Sequence, residues 1–322
     1  MPGLITHVLM AEKTINELSD NIVTKAINKH HDLFILGVSG PDFLYYHSSL
    51  PGSDSRLRKH FTQLGNDIHS EHVNDFYHLA IMIVKNEKDS VKKEKMIAYL
   101  AGHLSHWALD SQTHPFIFYR TNGTTPETKY DHYRYEAMID NYMFHDQKDG
   151  VTLNLPVANL ISKTNDIDVI TAIYQPICNE LWHVSVDLRH IVKAFRDFHN
   201  VLLLSYDPIG VWHQMITFFE LLIKDKWRFT SHFITLKKDL TKDILNINRQ
   251  KWNDPCDCSK VYHDSFLELF YQSIDLNTRV LTELNNVFIH DTDKELLTII
   301  NDRSYDTGHN DHQTMKYFDP IY

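Results

Sequence analysis

Glycine and proline are scarce, ten of each in 322 residues, and cysteine is scarcer at three. So few turn formers exclude a chain of many short strands joined by tight turns. Three cysteines exclude a disulfide framework. Cys178 stands alone, and Cys256 and Cys258 form a C-D-C pair that lacks the CxxC spacing of a structural zinc site and has no third or fourth ligand in view. Long apolar runs are missing as well: VLLL before Ser205 and ITFFELLI around Phe218 fall far short of the roughly 20 residues that span a bilayer. The start, MPGLITHVLMAEKTINEL, turns polar by Glu12 and does not read as an export signal, so a reducing, cytoplasmic setting is expected. Net positive charge is also lacking. At −10 the chain has no broad attraction for nucleic acid or anionic lipid, and no stable nucleic-acid complex is expected.

What remains is helical. Apolar residues recur at three and four over about residues 9–28, 60–86, 91–113, 131–146, 167–202, 208–225, 227–248, 263–287 and 293–301, which predicts an all-α protein. Punctuation falls at GVSGPD, SSLPGSDS, TNGTTPET, DGVTLNLP and NDPCDCS. DGVTLNLP is the best boundary, dividing a region 1–148 from a helical region 149–322 expected to pack on it. Aromatic residues of the second region, Trp182, Trp212, Phe218, Phe219, Trp227 and Phe229, recur at helical spacing and are read as packing.

Histidine is abundant, at 22. The run GHLSHWALDSQTHP brings three of them together with an aspartate. At about 100° per residue, His103, His106, Asp110 and His114 fall within an arc of about 80°, one helix face. The H-x-x-x-D-x-x-x-H spacing lets one carboxylate bridge two cations while each imidazole serves one of them, and Pro115 is expected to stop the helix. The alternative is a polar face with hydrogen-bonded histidines. In DHYRYEAMID, His132, Glu136 and Asp140 repeat at i, i+4 and i+8 on a second helix. His114 with His132 and Glu136 makes a three-ligand zinc site with one position open. Asp42 after Gly-Pro, His69 and His72 in IHSEH, and His7 in the first helix are weak signals one by one; an Asp after Gly-Pro is more often an N-cap.

In order, His7, Gly-Pro-Asp42, His69, His106-x-x-x-Asp110, His114 and His132-x-x-x-Glu136 resemble the zinc-dependent phospholipase C family, whose fold is shared with P1/S1-type nucleases. The resemblance covers about residues 1–145, and cytoplasmic-looking bacterial relatives of that family also carry GPD and an HxxxDxxxHP run. It implies a multi-helix bundle of that fold with additional C-terminal helices, two to three Zn2+ ions, and a phosphoester substrate, with phospholipids in that class. Asp42, His69, His106 and Asp110 would hold one zinc, and His114, His132 and Glu136 a second. A third would sit on Asp110, His7 and the chain's own amino terminus. Asp42 would also serve as general base or water-orienting group. His72, His103 and Asp140 are candidates for supporting these ligands, and Phe43, Tyr45 and Tyr46 for lining a pocket, against core packing as the alternative. Two departures stand out: the start Met1-Pro2, where secreted members expose a tryptophan amine, and the short gap from Asp110 to His114.

Competing enzyme signatures are absent: no GxSxG, Walker loop, HExxH or GxGxxG. The His-Asp pairs at His31, His145, His263 and His290 lack the rest of an HD-type phosphohydrolase frame, and Glu180-x-x-His183 is a single motif where a di-iron site needs two. The function expected is metal-dependent phosphodiester hydrolysis of phospholipase C type. A P1-type nuclease or nucleotide phosphatase, and a non-catalytic zinc-stabilised scaffold, are the alternatives.

Overall fold

The computed structural model describes all residues except 1–2, 51, 126–127, 148–156, 162–165, 208, 225–226, 234–241, 312 and 322. The expected boundary at DGVTLNLP and the terminal amine therefore lie outside the described residues. The described chain is all-α. Its first half holds α1 (Leu4–Glu17), α2 (Ile22–Lys29), α3 (His31–Val38), a 3-10 turn (Asp42–Tyr46), α4 (Ser55–Ser70), α5 (Val73–Asn86), α6 (Ser90–Thr121) and α7 (Lys129–Gln147). A second 3-10 turn (Val157–Leu160) follows, then α8 (Ile167–Trp182), α9 (Leu188–Leu204), α10 (Val211–Ile223), α11 (Phe266–His290) and α12 (Lys294–Ile300). The described strands are β1 (Trp252–Asn253) and β2 (Val261–Tyr262), an antiparallel pair.

Helix α6 is the axis of the molecule, with α3, α11, α2, α1 and α7 against it. It is buried almost all round from Met96 to Tyr119. The α3–α6 crossing depends on two glycines: a Cβ on Gly37 would stand 2.1 Å from the Tyr99 carbonyl oxygen, and one on Gly102 would stand 2.1 Å from that of Phe34. That backbone-to-backbone approach delivers the chain after α3, including Asp42, onto the histidine face of α6. One apolar core joins residues of α2–α6 to residues of α8, α9, α11 and α12.

Several expected helices are corrected. The stretches 9–28, 60–86 and 167–202 are each two helices, broken where the chain caps itself without losing apolar phase. Asn21 forms a capping box with Thr24, His72 (φ 56°) and His183 (φ 55°) adopt left-handed backbone, and Asp187 forms a box with His190. Helix α3 escapes periodicity because it is apolar on every side, and its residues Leu33–Val38 are all buried. Pro115 does not stop α6, which runs on to Thr121. Of the helix expected over 227–248, residues 234–241 lie outside the described residues, and the described residues 227–233 and 242–248 are turns, bends and irregular backbone rather than helix. There Asp243 accepts from the backbone N–H groups of Ile247 and Asn248, and Asn246 takes φ 53°, local bonds that displace helical ones.

The aromatic residues of α10 are also corrected. Trp212 is 61% exposed, Phe218 64%, and Phe219 and Phe229 about as open, while Trp182 and Trp227 are partly buried. Among the described residues no helix is long and apolar enough to cross a membrane.

Candidate metal centre

The site forms where four helices and the first 3-10 turn meet. His7 comes from α1, whose start is fixed by Asp140 of α7: its carboxylate accepts from Ile5 N–H (3.1 Å), Thr6 N–H (2.8 Å) and the Thr6 hydroxyl (2.6 Å). Asp42 opens the 3-10 turn and caps no helix with its side chain. His69 lies in the last turn of α4, His106, Asp110 and His114 on α6, and His132 and Glu136 on α7. All eight side chains are buried.

Their donor atoms gather in three groups, each within 4.8 Å: His7, His106 and Asp110; Asp42, His69 and His106; His114, His132 and Glu136. Asp110 stands between the groups. One of its oxygens is 2.9 Å from His106 Nε2, and the other is 3.2 Å from His7 Nε2 and 3.6 Å from His114 Nε2. Asp42 Oδ1 is 3.3 Å from His69 Nε2 and 3.7 Å from His106 Nε2. Glu136 Oε1 is 2.8 Å from His132 Nε2 and 3.9 Å from His114 Nε2. His7 stacks on His106 with ring centroids 4.2 Å apart.

The outward ring nitrogens fix the tautomers. His69 Nδ1 donates to the Gly65 carbonyl (2.7 Å), His106 Nδ1 to that of Val38 (3.0 Å) and His114 Nδ1 to that of Tyr305 (3.0 Å). His132 Nδ1 donates to the Thr121 hydroxyl (3.1 Å), which itself donates to the Ile117 carbonyl. With a proton held on Nδ1, each of these rings in its neutral form turns an Nε2 lone pair inward. His7 Nε2, Asp42 Oδ1, His69 Nε2, His106 Nε2, both Asp110 oxygens and His114 Nε2 are buried and make no hydrogen bond among the described residues. Such atoms are costly to bury unless a cation takes their lone pairs, and nitrogen with carboxylate oxygen is a donor set suited to zinc.

Electrostatics follow from burial. It lowers His7 to about 4, helped by His106 and opposed by Asp110. It also lowers His114, and His132 well below the usual range. Burial works against ionisation of Asp110, but His106, His114 and His7 outweigh it and hold its carboxyl well below the usual range. Asp110 is thus an anionic carboxylate beside imidazoles, those of His7, His114 and His132, that burial keeps from taking up a proton. His69 differs: burial is outweighed there by Asp42, Asp306 and Asp110, which raise it to about 8.

The other candidate residues divide. Asp140 bears on the centre by holding the start of the helix that carries His7. Tyr45 places its hydroxyl 3.2 Å from His69 Nδ1. Tyr46 stacks on Phe198 and lies beside His232, which stacks on Tyr133 next to His132. Phe43 is fully buried against Phe195 and Tyr174, as the core-packing alternative has it. His72 is exposed and pairs with Asp75. His103 shares the angular face of the ligand ladder but sits nearly two turns up the axis from Asp110, where it bonds the hydroxyls of Tyr77 and Tyr174 (both 2.9 Å).

Sequence reasoning missed Tyr305 and Asp306. The loop after α12 lies on the centre: Tyr305 N–H donates to the His69 carbonyl, its own carbonyl accepts from His114, and the Asp306 carboxylate is 3.5 Å from His114 Nδ1. No spacing signals a contact between residues 191 positions apart, and a backbone carbonyl leaves no mark in side-chain chemistry.

A family model described as zinc-dependent phospholipase C matches residues 6–190. Neither the search of curated proteins nor that of solved structures returns a match. The matched stretch is more than half of the chain, and all eight residues whose inward atoms form the three groups lie inside it. By that match the chain belongs to the zinc-dependent phospholipase C family.

Proposed function

We propose that the chain is a phosphodiester hydrolase of phospholipase C type, with one zinc ion held by Asp42, His69, His106 and Asp110, a second by His114, His132 and Glu136, and a third site where His7 meets the other oxygen of Asp110. The observation that carries this reading is the convergence of buried donor atoms of His7, Asp42, His69, His106, Asp110 and His114 that lack hydrogen bonds. Zinc bound there supplies hydroxide near neutral pH and polarises the phosphoryl and leaving oxygens of an ester. The chain's part is to hold these six side chains in place without reorganisation. The Nδ1 bonds orient the rings, and Asp110, sealed from solvent, is shared between groups and cannot meet a substrate. Asp42, less fully sealed and facing His69 and His106, orients the attacking water or takes its proton.

A phospholipid as the ester is supported by what borders the centre. His232 stacks on Tyr133 beside His132, and the preceding Phe229–Thr230 backbone is tied to Glu220 of α10, whose exposed side chains are nearly all apolar.

The test has two parts. Protein purified without added metal is expected to hold two to three zinc ions per chain in this centre. Wild type and Asp42→Asn are then compared on p-nitrophenyl phosphocholine, bis-p-nitrophenyl phosphate and single-stranded DNA. Asp42→Asn is expected to keep most of its metal and lose about 10²–10⁴-fold in rate. Turnover confined to DNA would replace the reading with a nuclease, and full zinc without turnover would leave a scaffold.

A further inference from the structure

The C-D-C pair acquires partners in the folded chain. Asp254, at the mouth of the β1–β2 hairpin, and His309, in the loop after α12, join with His309 Nε2 2.8 Å from Asp254 Oδ2, and Cys256 Sγ completes a group whose donor atoms lie within 4.8 Å of one another. Asp254 is buried; Cys256 and His309 are half-buried. Oδ1 of Asp254 is occupied by the N–H groups of Cys256 (2.8 Å) and Asp257 (3.2 Å), a turn that sets Oδ2 and the thiol beside the imidazole. Cys258 is exposed and stands outside the group.

We infer that Asp254, Cys256 and His309 form a second metal site, separate from the first centre, that binds a divalent cation of zinc type through sulfur, nitrogen and oxygen. One residue of each donor type, brought from two segments more than 50 positions apart, makes three of the four ligands of a tetrahedral site, with water as the fourth. Thiolate selects zinc over the hard cations that carboxylates alone would take.

The position of the site says what it does. It pins the hairpin to the loop 303–309, and that loop is what covers the first centre. Arg303 offers its carbonyl to Trp107 Nε1 (2.9 Å), the Ser304 hydroxyl donates to the His69 carbonyl (3.1 Å), and Tyr305 bonds His69 and His114 through its backbone. Gly308, at φ 66°, presses so closely on α6 that a Cβ would stand 2.5 Å from the Ser111 carbonyl oxygen, the group whose helical partner Pro115 lacks. A cation on His309 holds this loop where Tyr305 can fix the His114 tautomer.

The inference does not rest on the proposed function, because the first centre has only nitrogen and oxygen donors. The metal-free chain is loaded with Co2+ and the near-ultraviolet thiolate-to-cobalt charge-transfer absorption recorded. The band is expected in wild type and in Cys258→Ser, and lost in Cys256→Ser, whose zinc content falls by one ion per chain. His309→Gln is expected to hold that cobalt at least ~10-fold more weakly. Wild type without the band, though its cobalt content shows the first centre filled, overturns the site, as does a band that survives Cys256→Ser. Where Cys256→Ser does not fold, Cys258→Ser decides: a retained band belongs to Cys256, since Cys178 is buried in the apolar core, and a lost band overturns the assignment.

Discussion

Asp110 and Glu220 are both carboxylates buried on helices, in opposite settings. Glu220 is the one fully buried residue of α10, a helix that turns Trp212, Phe218, Leu221 and Leu222 to solvent. Its oxygens are fully occupied, accepting from Phe229 N–H (2.6 Å), Thr230 N–H (2.8 Å) and the Thr230 hydroxyl (2.6 Å). Asp110 is equally sealed, yet neither of its oxygens has a hydrogen bond and three imidazoles turn bare nitrogens to it. Burial of a charge is therefore not what marks a site in this molecule. Satisfaction separates the two: Glu220 staples a turn to a helix, whereas Asp110 keeps both oxygens without a hydrogen bond, which a cation would supply under the proposed function.

The contrast can be broken at either end. Asp110→Asn, which removes the shared charge, is expected to strip metal from the centre and lower the rate by on the order of 10³-fold or more, since metal stabilisation of this kind is worth several kcal/mol. Metal analysis with a rate measurement checks it, and retained zinc with near-normal turnover would show that the carboxylate is dispensable. Glu220→Ala leaves three donors without an acceptor and is expected to cost about 1–3 kcal/mol in urea unfolding while zinc content stays unchanged. Loss of zinc in that variant would erase the distinction.

A smaller effect concerns His103, a buried group that is satisfied like Glu220 though it stands on the ladder of Asp110. Burial lowers its pKa well below 6.5. The unfolded chain takes up a proton near pH 6.5 that the folded chain refuses, so this contribution is fully present above that pH and is lost as pH falls below it. Urea midpoints followed from about pH 7.5 to about pH 5.5 are expected to fall less steeply for His103→Gln, by at most ~1.4 kcal/mol per pH unit. Equal slopes would mean that His103 is charged in the fold. Least of all, Phe218→Ser on the open face of α10 is expected to change stability by no more than about 0.5 kcal/mol. A loss of several kcal/mol would show that Phe218 packs against something.

The legible part of this protein was whatever repeats with the helix. The ladders His106-Asp110-His114 and His132-Glu136 stand one turn apart because i and i+4 share a face in any helix, whatever surrounds it. Angular phase is legible but axial depth is not, and for that reason His103 reads like its neighbours and sits elsewhere. Breaks within a continuous apolar phase, at His72 and His183, were equally invisible, because a left-handed residue interrupts a helix without interrupting its pattern.

Sequence alone therefore determined the helical class and the spacing of imidazoles and carboxylates along α6 and α7, since these depend on local geometry and composition. Tertiary structure decided the rest. It chose Asp42 and His69 from weak signals by crossing α3 on α6 at Gly37 and Gly102, and it left Phe218 open and Phe43 sealed although both are phenylalanines in apolar runs. It also brought His309 to Cys256 and the Tyr305 carbonyl to His114. Each of these depends on the closeness of atoms far apart along the chain, and only packing sets that distance.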